Sequence, residues 1–344
     1  MKAAILVEQR MPLVVDELRL PRALSVGQVL VKIHASGICG SQLGEIDGVK
    51  GPDSFLPHLL GHEGSGTVIA LGPGVRHVDE GQKVVLHWRK SRGIEAELPV
   101  YSWQDRKVNA GWVTTFNEYG IVSENRLTPI PDDSDMDIAA LFGCAVTTGF
   151  GVVSNNANLK IGESVVIFGA GGIGLNIVQA ASLTSANPII AVDLHNGRLE
   201  LAKNLGATHT INAREQDARA EITNILGQDL LDVFIDNTGL PDVIQVGYDL
   251  THPQGRVVLV GVPQKGQNIS IYSLPLHFGK QITGSHGGET IPHIDIPRYY
   301  RLYREGRVNL KALITQTFSL EQVNEAIAGM RDGSISGRCI IRMQ

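Results

Sequence analysis

The sequence is poor in cysteine and in aromatic residues, and it has no long apolar run. Its 344 residues include only Cys39, Cys144 and Cys339, too few and too widely spaced to form a disulfide framework. No window of about 18 uninterrupted apolar residues is present, and the N-terminal stretch meets charge too early for a secretory signal. These absences predict a cytoplasmic protein with reduced thiols and no membrane contact.

Basic clusters are missing as well. The chain has 30 Lys and Arg against 35 Asp and Glu, a net charge of -5, and 11 histidines that are scattered along it. We therefore expect no nucleic-acid partner and a small-molecule substrate. A chain of 344 residues with a hydrophobic content of 43% is longer than one hydrophobic core usually organises, which predicts two domains.

The pattern of apolar residues changes along the chain. The first third contains short β-branched runs such as QVLVKIHA and GTVIALG, bounded by Gly and Pro, and is expected to be mostly strand. From about residue 160 to about residue 285, apolar strands alternate with helical stretches. Alternation of this kind predicts a doubly wound parallel sheet, so the fold class is α/β with an additional mostly-β part.

A glycine-rich turn follows the first of these strands. It consists of Gly169, Ala170, Gly171, Gly172, Ile173 and Gly174. Glycines at these spacings permit a tight turn, a close approach to a pyrophosphate, and close packing of helix on strand. Asp193, 19 residues after Gly174, can accept hydrogen bonds from the adenosine ribose and repels a 2′-phosphate, which favours NAD over NADP. The alternatives are a structural glycine turn and an ordinary solvated acid.

Three residues have the chemistry of zinc ligands. Cys39 lies in GICGSQ, His62 follows in LLGHEGSG 23 residues later, and Cys144 comes another 82 residues on. Two thiolates and an imidazole suit zinc, and three protein ligands leave a fourth position open for water or substrate. Spacing alone does not establish a site, because single cysteines are often buried apolar residues and a single histidine often serves a turn.

These motifs occur together in one order over almost the whole chain. The set GxxCGS, GHExxG, Cys before TTGFG, and GAGGIG resembles the zinc-containing alcohol dehydrogenases of the medium-chain dehydrogenase/reductase family. The resemblance implies one catalytic zinc on Cys39, His62 and Cys144, with Glu63 close enough to exchange with water at the metal. It also implies hydride transfer from an alcohol to NAD, and a role for Ser41 in receiving the alcohol proton.

The resemblance further implies an architecture and a set of cofactor contacts. A GroES-like catalytic domain would comprise residues 1–150 and 287–344, a Rossmann domain would comprise 151–286, and the active site would lie in the cleft between them. A homodimer or homotetramer is expected. The implied contacts are Thr148 at the nicotinamide, Val260 and Val262 lining its pocket, Ser285 at the carboxamide, Arg198 beside the adenosine ribose, and Arg338 at the pyrophosphate. Both arginines could equally be surface charges.

The sequence departs from the family pattern at three places. Residues 88–112 lack the four cysteines of a structural zinc, so we expect this segment to be held by Trp88, Tyr101, Trp103 and Trp112 or by a subunit contact. Gln42 stands where the family usually has an aspartate beside the ligating histidine. Gly44 stands where many members have the histidine that ends a proton relay.

The substrate is predicted only as a class. A secondary alcohol, polyol, cyclitol or sugar derivative would be oxidised to the aldehyde or ketone. The polar residues that favour a polyol or sugar are His87, Arg89, Asn117 and Glu118. Two other functions stay open: a zinc-independent reductase acting on activated double bonds or quinones, and a dinucleotide-binding protein without turnover.

Overall fold

Strands make up most of the regular structure in the first third of the chain. This computed structural model describes residues 1–343. Its strands are β1 (Lys2–Leu6), β2 (Val14–Glu17), β3 (Gln28–Gly37), β4 (His58–Leu59), β5 (Glu63–Leu71), β6 (Lys83–His87), β7 (Val100–Trp103), β8 (Arg106–Asn109), β9 (Tyr119–Ser123), β10 (Leu127–Pro129), β11 (Val165–Phe168), β12 (Ile189–Asp193), β13 (His209–Asn212), β14 (Leu231–Asp236), β15 (Thr251–Leu259), β16 (Gln281–Gly284), β17 (Ile314–Ser319) and β18 (Arg338–Arg342).

The α-helices concentrate in the second half of the chain. They are α1 (Gly40–Ile46), α2 (Met136–Leu141), α3 (Ala145–Gly151), α4 (Gly172–Leu183), α5 (Asn196–Asn204), α6 (Ala218–Leu226), α7 (Pro241–Leu250), α8 (Pro292–Arg304) and α9 (Val323–Asp332). A π-helical turn, Val152–Asn156, continues α3.

The chain divides into two units. Unit 1 comprises Met1–Ala145, Ile291–Glu305 and the residues from Ile314 onward, and unit 2 comprises Val146–Thr290 and Gly306–Leu313. The segment Gly306–Leu313 thus packs with unit 2, whereas the sequence-based division assigns it to the first domain. The domain assignment as such stays a prediction.

Unit 2 is built on a six-stranded parallel sheet. Its strand order is β13-β12-β11-β14-β15-β16, the order of a Rossmann fold. Strands β11 and β12 consist almost entirely of buried apolar residues, as expected of strands that helices cover on both faces. Phe234 of β14 and Tyr248 of α7 belong to the same core cluster. The predicted doubly wound sheet is confirmed.

Unit 1 contains two largely antiparallel sheets. One has the order β2-β1-β4-β8-β7, and the other has the order β10-β6-β5-β3-β18-β17 with β9 also paired to β3. Strand β18, from the end of the chain, pairs with β3 and so completes a sheet that the first third begins. This pairing explains why the unit is discontinuous in sequence, and it fits the predicted mostly-β part.

One buried carboxylate, that of Glu124, contributes to holding the segment without cysteines, residues 88–112, and ties it to the loop at residues 76–77. Glu124 is 1% exposed; its Oε1 accepts hydrogen bonds from the amides of Arg76 (2.6 Å) and His77 (2.9 Å), and its Oε2 accepts one from the amide of Ile94 (2.7 Å). Burial raises the pKa of Glu124, but these three amides outweigh it and leave the pKa below its usual value. The sequence alone did not predict this role of Glu124.

Aromatic residues contribute to the same segment in part. Tyr101 is fully buried and its hydroxyl accepts the Ile121 amide (2.9 Å), while the indole N–H of Trp103 donates to Asp16 (2.7 Å). Trp112, by contrast, is 42% exposed. Tyr101 and Trp103 therefore carry part of the predicted packing, and Trp88 packs against an apolar core cluster. The exposed Trp112 contributes a contact with Arg126, whose Cζ lies 5.3 Å from the centroid of its ring.

Candidate metal centre and dinucleotide-binding edge

Cys39, His62 and Cys144 converge in unit 1. Cys39 is the N-cap of α1, His62 precedes β5, and Cys144 precedes α3. Their sulfur and nitrogen ligand atoms all lie within 4.8 Å of one another. Two thiols and an imidazole at this separation have the donor chemistry that zinc prefers, so the residues present fit the implied metal.

A glycine permits the close approach of the Cys144 segment. A Cβ atom added to Gly143 would lie 2.3 Å from the carbonyl oxygen of Leu86 and 2.7 Å from the Cα of Glu63. Glycine alone avoids both contacts, so the chain just before Cys144 can pass directly over the strand that follows His62.

The environment of Cys39 favours its thiolate. The hydrogen bond with Cys144 holds the pKa of Cys39 well below 9.0; burial opposes this effect, and His62 and Arg338 reinforce it. Since a metal binds the thiolate and not the thiol, the site is prepared electrostatically for a cation.

Glu63 is not a member of the ligand group. Its side chain is fully buried, and one carboxylate oxygen forms an ion pair with Arg338, which is 4% exposed. The other oxygen accepts the backbone amide of Ala145 at 3.2 Å. Glu63 therefore joins the strand after His62, the helix after Cys144 and strand β18. Its exchange with water at a metal stays a prediction, as does the contact of Arg338 with a pyrophosphate.

The first turn of α1 shows what Gln42 and Ser41 do. Gln42 is buried, and its Oε1 accepts the backbone amide of Cys39 at 2.9 Å, forming a capping box. Ser41 is exposed, and since Cys39 is the N-cap, Ser41 does not cap the helix. Its hydroxyl is accessible for the predicted proton transfer. Gly44 has open space beside its Cα apart from Val49.

The glycine turn and Asp193 form one hydrogen-bonded unit at the carboxyl ends of β11 and β12. Gly169 adopts φ +96°, and a Cβ atom on Gly174 would lie 2.0 Å from the Gly169 carbonyl oxygen. The Asp193 carboxylate accepts the Ala170 amide at 2.8 Å and lies 3.6 Å from the Arg198 guanidinium. Gly171, as N-cap of α4, has no atom within 4 Å of an added Cβ, which leaves its backbone open to a ligand.

The remaining predicted cofactor residues all belong to unit 2. Val260 and Ser285 follow β15 and β16, so they share the carboxyl edge of the parallel sheet with Gly169. Val262 is 56% exposed, whereas Thr148 in α3 is buried. The Ser285 amide donates to Leu259 and its hydroxyl accepts the Gly288 amide (3.0 Å). Their contacts with a nicotinamide stay predictions.

Two of the four polar residues that favoured a polyol, His87 and Asn117, are buried and hydrogen-bonded within the fold. His87 is 1% exposed and bonded to the Arg89 carbonyl (2.8 Å) and the Thr128 hydroxyl (2.9 Å). Asn117 is fully buried, and its amide donates to Tyr119. Neither His87 nor Asn117 supports the choice of a polyol over another alcohol.

We expect His87 to make the protein sensitive to mild acid. Burial lowers the pKa of His87 to about 4, from 6.5 for the free residue. The unfolded chain therefore takes up a proton first, so stability is complete above about pH 6.5 and falls towards pH 4, by up to about 3 kcal/mol. The free energy of unfolding, measured by urea titration at each pH, should depend less on pH in His87→Gln. The same slope in wild type and variant would contradict this, and the exposed His209→Gln is the control.

One further cluster of potential ligands was not predicted. Glu45, Asp53 and His58 each offer a ligand atom within 4.8 Å of the others. They come from a helix, a loop and a strand, and no spacing in the sequence signals their approach.

Among residues 1–343, no helix is both long enough and apolar enough to cross a membrane.

Comparison with known proteins gives two family matches. Residues 25–132 match the alcohol dehydrogenase GroES-like domain, and residues 172–304 match the zinc-binding dehydrogenase family. The chain is 31% identical to alcohol dehydrogenase class-3 of Cereibacter sphaeroides, covering 96% of this chain and 97% of that protein. It is 29% identical to S-(hydroxymethyl)glutathione dehydrogenase of Paracoccus denitrificans, with the same coverage.

A solved structure of an alcohol dehydrogenase has a similar fold over the whole chain. Benzyl alcohol dehydrogenase of Acinetobacter calcoaceticus superposes with a TM-score of 0.89 at 29% identity, covering 100% of this chain and 99% of that one. The similarity therefore extends over both units and is not limited to the dinucleotide-binding half.

Proposed function

The chain belongs to the zinc-containing alcohol dehydrogenase family, and we propose that it oxidises an alcohol with NAD at a zinc ion bound by Cys39, His62 and Cys144. The observation that carries this assignment is the convergence of the three ligand atoms within 4.8 Å. A zinc-independent reductase has no use for such a cluster. We therefore favour the zinc-dependent reaction over that alternative.

The chemistry divides between the bound groups and the protein. When bound, the zinc ion acts as a Lewis acid on the substrate oxygen, and NAD accepts the hydride. The chain itself holds the ligands: Gln42 fixes the amide of Cys39, and Glu63 fixes the segment that carries Cys144. The exposed hydroxyl of Ser41 is proposed to receive the proton of the alcohol.

The glycine turn is proposed to bind the pyrophosphate of NAD through the amides at the start of α4. The Asp193 carboxylate then accepts hydrogen bonds from the ribose hydroxyls, with Arg198 beside it. Arg338 is proposed to contact the pyrophosphate. Thr148, Val260, Val262 and Ser285 surround the nicotinamide. The corresponding domains are proposed as residues 1–150 with 287–344, and 151–286.

Asp193→Ala is expected to weaken NADH binding by roughly 10- to 100-fold, because loss of hydrogen bonds to a charged group costs about 1.5–3 kcal/mol. Affinity for NADPH should fall less, which reduces the discrimination between the cofactors. Fluorescence titration with both cofactors measures the effect. Asp249→Ala removes a half-exposed carboxylate from the same unit and should change neither affinity. An unchanged NADH to NADPH ratio in Asp193→Ala would reject the role of Asp193.

For the substrate, the assembly and the location of the protein, we propose classes only. We propose a secondary alcohol, polyol, cyclitol or sugar derivative as substrate, a homodimer or homotetramer as the assembly, and the cytoplasm as the location. The negative net charge and the absence of a basic run support the expectation of no nucleic-acid partner.

The function is tested by following NADH formation with a panel of aliphatic, aromatic and polyol substrates, using zinc-loaded protein. A substrate deuterated at the carbinol carbon should give deuterated NADH, which demonstrates direct hydride transfer. Protein that contains zinc and binds NADH, yet reduces no NAD with any alcohol in the panel, would favour the non-catalytic alternative.

A further inference from the structure

Several exposed apolar side chains gather around one cavity in unit 1. Four of them, each between 42% and 67% exposed, line a cavity of about 550 Å³: Phe55, Leu98, Val100 and Trp112. We call it the Trp112 cavity. Pockets that bind small molecules have volumes of about 300–1,000 Å³ and walls that are mostly apolar. Large apolar side chains left exposed around one concave surface indicate a binding site for an apolar group.

The Trp112 cavity extends to the group of metal ligands. His62 lines it, and so does Gln42 from the first turn of α1. Gln42 is 1% exposed, its Oε1 accepts the Cys39 amide, and its Nε2 has no hydrogen-bond partner within residues 1–343. A buried amide donor requires an acceptor, which an oxygen of a molecule in the cavity provides. The cavity and the three ligands Cys39, His62 and Cys144 therefore form one site.

The apolar wall of the Trp112 cavity disfavours a polyol. Leu98, Val100 and Trp112 belong to the segment without cysteines, residues 88–112, so this segment forms one side of the cavity. A hydroxyl group placed against these side chains gives up its hydrogen bonds to water without replacement. An alkyl or aromatic group instead removes its own surface and that of the wall from water, which is favourable.

The charged side chains of the Trp112 cavity disfavour an anion. Glu45 and Asp53 line it, and no lysine or arginine does so in the part of the chain that the structure describes. The Asp53 carboxylate contacts Nε2 of His58 and accepts the amide of Phe55, both at 2.8 Å, whereas Glu45 is 46% exposed. A carboxylate on a bound molecule would meet charges of its own sign and no counter-ion.

We propose that the Trp112 cavity holds the body of the substrate and selects a secondary alcohol with a large apolar group and no negative charge. The inference rests on the proposed function, because it narrows the substrate of that reaction. The alcohol gives a hydride to NAD and releases a proton to become the ketone, so the group held in the cavity is unchanged. The segment without cysteines thereby contributes to substrate choice.

The first test compares alcohols of different polarity through kcat/KM with NAD and zinc-loaded protein. 1-(4-Methylphenyl)ethanol should exceed both 2-propanol and xylitol at least about tenfold, because only its ring fills the apolar cavity. Leu98→Ser changes a half-exposed side chain and should lower this preference at least about threefold. Leu230→Ser makes the same change at an exposed position of unit 2, outside the cavity, and should keep the preference of wild type.

The second test compares 4-(1-hydroxyethyl)benzoate with 1-(4-methylphenyl)ethanol, which differ by a carboxylate in place of a methyl group. Wild type should prefer the methyl compound. Glu45→Lys reverses a charge in the cavity wall and should raise the relative kcat/KM of the benzoate at least about fivefold. Asp47→Lys makes the same change in charge two residues away, at a residue that does not line the cavity, and should leave the ratio unchanged.

Equal use of 2-propanol, xylitol and 1-(4-methylphenyl)ethanol would overturn the inference, and so would wild-type ratios in both Leu98→Ser and Glu45→Lys. Either result leaves the oxidation of alcohols intact. If no alcohol reduces NAD, the proposed function fails, and the cavity is tested by calorimetric titration of the protein with NADH and 1-(4-methylphenyl)ethanol. Weaker binding to Leu98→Ser than to wild type would then support the cavity, and equal binding or none would reject it.

Discussion

Replacing Cys144 with serine should remove zinc and alcohol oxidation together. Zinc content should fall from about one ion per chain to a small fraction of that, because serine does not supply the thiolate that zinc prefers. Turnover should fall by at least about a thousandfold, since Lewis-acid stabilisation supplies several kcal/mol and each 1.36 kcal/mol is a factor of ten. Elemental analysis and NADH formation measure the two effects on the same preparation.

The third cysteine offers a matched control for this prediction. Cys339 is 1% exposed in β18, and Cys339→Ser makes the same chemical change outside the ligand group. It should retain zinc. Circular dichroism should show that Cys144→Ser keeps the fold, because a catalytic metal is not a folding requirement here. Equal zinc content in wild type and Cys144→Ser would remove Cys144 from the metal site.

Glu63→Gln is expected to cause the largest loss of stability. The variant keeps an oxygen near the Ala145 amide but leaves the buried guanidinium of Arg338 without its counter-charge. Removing one partner of a buried ion pair costs about 3–5 kcal/mol, because the remaining charge stays desolvated. The expected observation is a lower urea concentration at the midpoint of unfolding of unit 1.

Two other variants test whether the burial of the unpaired charge causes the loss of stability. Asp133→Asn breaks the exposed pair of Asp133 with Arg304, whose side chains are 65% and 49% exposed, and should lower the free energy of unfolding far less than Glu63→Gln does. The double variant Glu63→Gln with Arg338→Met removes both charges and should recover most of the loss. A double variant no more stable than Glu63→Gln would show that packing, and not the unpaired charge, dominates.

The sequence predicted well what depends on neighbouring residues. The strand before Gly169, the helix after Gly171 and the strand that ends at Asp193 follow from apolar runs and glycine spacing within about 30 residues. The α/β fold class was confirmed for the same reason, since alternating strands and helices leave few topologies.

Contacts between residues far apart in the sequence could not be predicted from the spacing of motifs. The pair of Glu63 with Arg338 depends on β18 joining a sheet begun by β3, and nothing near either residue signals it. The gathering of Cys39, His62 and Cys144 was predicted only through the family resemblance, and their binding of zinc stays a prediction. His87 was counted among the polar residues that favour a polyol, yet it is 1% exposed, because burial cannot be inferred from one polar residue in an apolar strand.

The attachment of residues 88–112 through Glu124 has a consequence for chemical durability. Thiol oxidants and chelators act on cysteine-bound metal, and this segment contains no cysteine for them to attack. One of its anchors is the Glu124 carboxylate, whose hydrogen bonds to the amides weaken on protonation, and the pKa of Glu124 lies below its ordinary value. The contribution of Glu124 is thus complete above about pH 4.5 and declines in stronger acid. In this enzyme, oxidative damage should reach the thiols of Cys39 and Cys144 while residues 88–112 stay attached to the fold.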